Sequence, residues 1–449
     1  MQTVNELRAS LRGGVTVPAD AGYAAARRIW NGAIDRYPSA IIGCADAEDV
    51  ANALRIANER DLPVTVRGGG HNVAGRCIRD GALLLDLSRL NAVAVNAESR
   101  IATVQGGALW RDVDAATGRA GLATTGGLIS TTGVGGFTLG GGAGWLMRKH
   151  GLACDNMLGA SVILSDGRVV RASAAEHADL YWALRGGAGG LGVVASFDFR
   201  TYPLREVLAG LIIHPAEQAL EALQAFRDFA AQAADEFCGL AVIANAPPLP
   251  FLDPSWHGRP VVIQAVCWCG EQAAGERALE PLRGFGRPLA EHVGWMPYVQ
   301  WQQLQDPSAP PGLHYYWKTA NYRHIGDSTL QVLAAAAQQL PSPRSEIHLQ
   351  HMGGAVGRVP QADTAFAHRD AKYFVNLIGI TDAGDKMTGL RERVRALYEQ
   401  ITPEATATIL PNFSDQDDAQ AERQFGGEIA GRLAALRRRY DARGLLSDR

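Results

Sequence analysis

Arg67-Gly68-Gly69-Gly70-His71-Asn72 follows directly on the apolar run Leu62-Pro63-Val64-Thr65-Val66. Three consecutive glycines at the end of a strand leave bare backbone N–H groups with no side chains to hold a ligand away. Such a turn forms a nest for an anion, and Arg67 adds positive charge beside it. A histidine at the end of that nest stands over whatever the phosphates carry. Residues 126–144, GGLISTTGVGGFTLGGGAG, hold nine glycines in nineteen residues. Linkers of that glycine content are polar, whereas this run interleaves Leu128, Ile129, Val134, Phe137 and Leu139, with Trp145 just beyond. It reads as backbone packed closely against a large ligand.

The 449 residues predict two domains, and 47% hydrophobic with 20% charged residues describes an ordinary globular chain. A net charge of −3 gives no electrostatic reason for nucleic acid or an anionic membrane as partner. The start, MQTVNELRASLRGG, lacks the apolar centre of a secretory signal, and no apolar run reaches spanning length, which predicts a cytoplasmic protein. Six cysteines show no zinc or disulfide spacing, so no metal site is expected. Cys267 and Cys269 flank Trp268 in a strand-like run and should pack as small apolar residues.

From Tyr37 to Leu204 the pattern is short strands, glycine turns and one amphipathic helix. That helix spans Asp46 to Asp61, with Asp46 as N-cap and Val50, Ala53, Leu54 and Ala57 on one face. Asp166-Gly167 between two apolar runs signals a hairpin. The character changes near Tyr202-Pro203: a helix is predicted over Glu217 to Phe237. Strand-like runs follow at 240–244, 261–269, 314–318, 346–352 and 373–380, which fit an antiparallel sheet flanked by helices. One motif fails. Gly187-Ala188-Gly189-Gly190-Leu191-Gly192 matches G-x-G-x-x-G, but it follows a helical pattern and precedes a β-rich one, the reverse of a dinucleotide-binding turn.

RGGGHN (67–72), QGG (105–107), TGVGGFTLGGGAGWLMRKHGLACDN (132–156), DLYWALRGG (179–187), GVVASFDF (192–199) and LRRRYD (436–441) fit one family in sequence and in order. Together they resemble the berberine-bridge-like branch of the vanillyl-alcohol-oxidase flavoproteins, and within it bacterial members of secondary metabolism. The resemblance implies an α+β protein. A PCMH-type FAD-binding domain of two α/β subdomains (residues 1–203, completed by 405–449) would carry an inserted substrate-binding domain (204–404). It implies FAD bonded covalently through its 8α-methyl to His71. Arg67, Gly68, Gly69, Gly70, Asn72, Gly133, Gly135, Gly136, Gly140 and Gly141 would hold the pyrophosphate, with Gly107, Cys154, Asn156 and Val193 close to the cofactor.

Many relatives carry a second link from a cysteine in a CPTxGxGG segment. This chain reads ISTTGVGG and places Ile129 at that position, so a single link is implied. Thr132 aligns with the residue lining the family's oxygen pocket. A threonine there is shared with a member associated with a flavin-N5-oxide, while a plain peroxide-producing oxidase of an alcohol, amine or sugar tolerates the same residue.

For the substrate side the strands offer Tyr316, Lys318, His348, Gln350 and Tyr373. Period-two spacing puts His348 and Gln350 on one face and His351 on the other. His348 or His150 could accept a proton from a hydroxyl or enol. Asn412, in the C-terminal return, is expected at the flavin ring edge. The reading implied is an FAD-dependent oxidase or monooxygenase acting on a small molecule with dioxygen, as monomer or homodimer, with no nucleic acid or membrane partner. A flavoprotein that only sequesters a small molecule is the non-enzymatic alternative.

Overall fold

Strands Ala40–Gly43, Leu83–Asp86 and Val64–Arg67 are buried, apolar and parallel, as expected of strands covered on both faces. Gly14–Thr16 adds an antiparallel edge. The computed structural model describes residues 2–382, 384–406, 410–415 and 425–446. Helix Ala47–Glu59 covers this first sheet. Asp46 caps it by accepting from the Glu48 and Asp49 N–H groups, and Val50, Ala53, Leu54 and Ala57 are fully buried.

A second sheet, wholly antiparallel, orders its strands Val93–Asn96, Ile101–Gln105, Val193–Arg200, Met157–Ile163, Val169–Ser173. The hairpin at Asp166-Gly167 forms as predicted, with Gly167 at φ +82°. Helix Ala178–Leu184 precedes strand Val193–Arg200, so the reversed order that argued against a dinucleotide turn holds. The C-terminal helix Gly427–Tyr440 buries Leu433, Leu436 and Tyr440 in the same core as Trp110, Phe137 and Phe197. Of the 405–449 return, residues 407–409, 416–424 and 447–449 lie outside the described residues.

The third sheet has seven antiparallel strands in the order Ala290–Pro297, Glu206–Pro215, Pro260–Trp268, Phe237–Asn245, Glu346–His351, Tyr373–Thr381, His314–Tyr322. One face packs on helices Ala219–Gln232, Gln272–Arg283, Asp327–Ala336 and Met387–Ile401. The other packs on the glycine-rich segment through Ala143, Trp145, Leu146 and Leu152, and Cys267 and Cys269 are buried there as small apolar residues.

Three expectations need correction. The first part contains a further helix, Trp110–Arg119, started by the Asp112 carboxylate accepting the Leu109 N–H. The glycine run itself holds a short helix, Val134–Leu139, because Val134, Phe137 and Thr138 can bury. The helix predicted to Phe237 ends at Gln232 and a strand begins at Phe237. Buried Arg148 terminates it, donating to the Ala233 and Ala234 carbonyls and to the Phe237 carbonyl.

Buried Asp114 on helix Trp110–Arg119 makes a pH prediction. Its Oδ2 accepts from Gln302 at 3.3 Å, and burial pushes its carboxyl up to about 7. The native state keeps a proton that the unfolded chain releases near pH 4. Stability therefore falls as pH rises from about 4 to about 7 and levels off above, by at most roughly 4 kcal/mol. Asp114→Asn should match the parent near pH 4 and unfold at a higher temperature at pH 8. Equal melting temperatures at pH 8 would refute the assignment.

Candidate functional site

Two glycine turns meet backbone to backbone. A Cβ on Gly69 would lie 2.4 Å from the Gly133 nitrogen, and one on Gly133 would lie 2.3 Å from the Gly69 nitrogen. Beside this contact Gly136 is exposed, with nothing within 4 Å of a Cβ position, and Gly68 and Gly135 are half-exposed. As in any helix, the first-turn N–H groups of Gly135 and Gly136 have no partner within the helix itself. The result is a polar cradle with bare walls, which fits a pyrophosphate. Gly133→Ala should separate the two turns and yield a protein purified without flavin colour; a normally yellow variant would contradict this.

His71 closes the cradle. Its imidazole stacks on Trp30, with centroids 4.3 Å apart and planes at 17°. Trp30 in turn stacks on Tyr315 at 3.8 Å. Thr131 Oγ1 stands 3.5 Å from His71 Nε2. The residue is half-buried, and burial lowers the ring's pKa to about 4, so the imidazole is neutral at physiological pH. A neutral imidazole has a free lone pair and can bond to an electrophilic carbon.

An aromatic wall leads from His71 to the seven-stranded sheet. Trp30 meets Trp317 edge-on at 5.8 Å, Trp317 stacks on Phe413 at 6.0 Å, and Phe413 packs on Phe374 at 5.1 Å. Phe374 is the cross-strand partner of Gln350. On the same face Thr319, Asn376 and His348 form one row across three strands. Thr319 Oγ1 donates to Asn376 Oδ1 at 3.0 Å, and His348 Nε2 lies 2.7 Å from Glu346 Oε2. Gln350 is buried, and its Nε2 has no hydrogen-bonding neighbour among the described residues. A neutral cradle histidine therefore connects, ring by ring, to a floor of amide, hydroxyl and imidazole groups.

Tyr316 and Lys318 are not part of it. They point to the helix-covered face, where the Tyr316 hydroxyl accepts from Arg395 Nε and Lys318 Nζ lies 5.6 Å from the Tyr398 ring. Tyr373 shares that face and donates to the Arg227 carbonyl. The residues of strand His314–Tyr322 that face the cradle are those of opposite parity, Tyr315, Trp317 and Thr319. His150 stacks on Tyr202 at 3.7 Å, and burial holds it neutral with a pKa of about 4. His351 is buried on the helix side, hydrogen-bonded to Arg148 at 2.8 Å.

Several expected cofactor residues make bonds that brace the cradle. Arg67 pairs with Asp86 at 2.6 Å and donates to the Ala26 carbonyl. The Gly107 N–H donates to the Leu90 carbonyl, and a Cβ there would strike the Leu87 carbonyl. Asn72 Oδ1 accepts the Arg76 N–H. Asn156 Nδ2 donates to the Leu152 carbonyl and its Oδ1 accepts from Tyr202. Cys154 is buried, which pushes its thiol pKa up, and Val193 packs into the core. Asn412 accepts the Gly142 N–H and donates to the Phe137 carbonyl, filling the space beside Gly140. Gly141 adopts φ +114° against the Phe366 ring. Thr132 is pinned through its backbone by the Trp110 N–H and the Ile129 carbonyl. Trp30, Trp317 and Phe374 were not foreseen; no local motif marks them.

Residues 38–173 match the FAD binding domain family. The (R)-6-hydroxynicotine oxidase of Paenarthrobacter nicotinovorans is 30% identical over 447 residues, covering 96% of this chain and 94% of that protein. This chain belongs to the berberine-bridge-like family of FAD-linked oxidoreductases. The crystal structure of 6-hydroxy-D-nicotine oxidase from Arthrobacter nicotinovorans superposes with a TM-score of 0.86 at 27% identity, covering 97% of each chain. BBE-like 1 of Physcomitrella patens shares the fold, with a TM-score of 0.89 at 20% identity over 100% of this chain and 98% of the other. The protein is an FAD-dependent oxidase with a sheet-rich substrate domain. No helix among the described residues is long and apolar enough to cross a membrane, and no three described His, Cys, Asp or Glu residues cluster as metal ligands.

Proposed function

We propose that this oxidase carries FAD on a single covalent bond through His71 and oxidises a hydroxyl- or enol-bearing aromatic small molecule, with dioxygen as acceptor. The observation that carries the reading is the neutral, stacked His71 at the end of the glycine cradle, facing the aromatic wall. Ile129, at the place of the cysteine in doubly linked relatives, supports one bond rather than two.

Bound FAD supplies a hydride acceptor that returns two electrons to dioxygen. Gly68, Gly69, Gly70, Gly133, Gly135 and Gly136 would hold its pyrophosphate through the cradle's backbone. Trp317, Phe413 and Phe374 would flank a flat substrate, and the Gln350 amide N–H would donate to an oxygen on it. His348, paired with Glu346, would take the hydroxyl proton as the adjacent carbon is oxidised. An aromatic substrate also agrees with the heteroaromatic compound that names the hydroxynicotine oxidase.

The test is the absorbance spectrum before and after acid precipitation. The parent pellet should stay yellow, and His71→Ala should bind FAD but release it into the supernatant. A His71→Ala pellet that retains flavin refutes the linkage.

Thr132 favours a second reading, oxygen transfer to the substrate. Label from ¹⁸O₂ in the product of the parent, and its loss in Thr132→Val, would support it. Stoichiometric hydrogen peroxide with unlabelled product would favour the plain oxidase.

A further inference from the structure

The short loop 306–309, which precedes strand His314–Tyr322, grips both neighbours of His71. Asp306 accepts the Ser130 N–H on Oδ1 at 2.7 Å and the Ser130 hydroxyl on Oδ2 at 2.6 Å. The next residue, Thr131, is the one whose hydroxyl faces His71 Nε2. Three residues along the loop, the Ala309 carbonyl accepts from Trp30 Nε1 at 2.9 Å, fixing the indole on which His71 stacks. One loop of the substrate domain thus sets both the plane of the imidazole and the group at one of its nitrogens. Asp306 is also the charged group whose field acts on the His71 ring.

We infer that Asp306 and Thr131 are positioning residues for cofactor attachment: Asp306 holds Ser130–Thr131 in place, and Thr131 accepts the Nε2–H of His71, leaving Nδ1 as the nitrogen that bonds the cofactor. The inference rests on the covalent reading of His71. In the attachment step the Nδ1–C8α bond forms and one C8α–H bond breaks. The two electrons released reduce the ring system, and dioxygen, the acceptor of the proposed oxidase, removes them as hydrogen peroxide. The hydrogens of that peroxide balance one from C8α and one from the imidazole N–H. The imidazole becomes more positive as it bonds, which the Asp306 carboxylate favours, and its Nε2 proton departs on the side where Thr131 stands.

The geometry also explains why the hydroxyl sits outside the row of substrate-facing groups. At 3.5 Å the Thr131 contact is long, as hydrogen bonds to reacting groups are before their partners are in place. A threonine that served packing alone would not need its oxygen turned to a ring nitrogen.

The experiment uses full-length chain produced under riboflavin starvation and then mixed with FAD. Total bound flavin is read after gel filtration and linked flavin after acid precipitation, both against time. Thr131→Val and Asp306→Ala should each bind FAD normally but link it about tenfold more slowly, the change expected for one lost hydrogen bond of ordinary strength. Thr131→Ser should link at the parent rate. NMR of the excised flavin peptide from the parent should place the bond on Nδ1.

Linking at the parent rate by both slow candidates, or loss of binding and linkage in equal proportion, would overturn the inference. So would a bond on Nε2. A colourless parent pellet, or a yellow His71→Ala pellet, would instead overturn the covalent reading itself, so the two failures are distinguishable.

Discussion

Replacing His348 with glutamine should lower kcat about 10²- to 10³-fold while the protein stays yellow, the range lost when a positioned general base is removed. The side chain sits on the sheet face toward the cradle, in one row with Asn376 and Thr319, and Glu346 holds its Nε2 at 2.7 Å. With Nε2 engaged, Nδ1 is the nitrogen that would meet a substrate proton. Glutamine preserves length and polarity, so its effect isolates proton acceptance. Rapid-reaction measurement of anaerobic flavin bleaching reads the same step before oxygen is involved, and the loss should appear there in full. Bleaching at the parent rate would remove His348 from the chemistry. An absence of bleaching in the parent as well would favour a protein that binds its ligand without turning it over.

The second large effect concerns stability. Arg369 and Asp155 form a two-pronged ion pair at 2.6 and 2.7 Å, each side chain only 5% exposed. Arg369 also donates to Thr364, while Asp155 accepts the Leu152 N–H. The pair fastens the segment after the glycine run to residues 364–369. Arg369→Met leaves the Asp155 carboxylate buried without a compensating charge of comparable closeness; Arg185 is 3.8 Å away. The expected cost is about 3–5 kcal/mol, the range for breaking a buried pair by removing one partner. Denaturant unfolding at pH 7 measures it, and a loss below about 1 kcal/mol would place the pair with exposed ion pairs instead. Most of the loss should disappear in the double variant Arg369→Met, Asp155→Leu, because the stranded charge goes with it.

The glycine cradle was legible in the chain because it is built of backbone. Glycines that must approach other backbone leave a local mark: Gly68 to Gly70 and Gly133 to Gly136 stood out before any contact was known. The substrate half was less legible for a definite reason. Strands in a sheet covered on both faces lose the polar–apolar alternation that reveals which side is which. His314–Tyr322 is such a strand, and its parity cannot be read from its own residues, so Tyr316 and Lys318 were placed one residue out of phase. Period-two spacing did separate His348 and Gln350 from His351, and Met352, an apolar neighbour of the same parity as the first two, packs into the core beside the glycine segment. Trp30 offered no local sign, since the groups that fix its indole, Tyr315, Trp317 and the Ala309 carbonyl, lie 279 or more residues away. Asn412, singled out for the ring edge, binds the glycine turn through the Gly142 N–H and the Phe137 carbonyl.

The seat of His71 has a consequence for how the protein is made. Trp30 reaches 279 residues forward to the Ala309 carbonyl, and neighbouring Asn31 reaches 284 residues to Tyr315. While the ribosome is still translating the first two-thirds of the message, the glycine turns and Trp30 can exist, but neither Tyr315 nor the Ala309 carbonyl is there to hold the indole against the histidine. Contacts of such sequence separation form late, after their loops have closed. On the proposed linkage, attachment of the cofactor would be deferred until the substrate domain has emerged and docked. A chain truncated before residue 306 should accumulate without bound colour, however completely its first two sheets have formed.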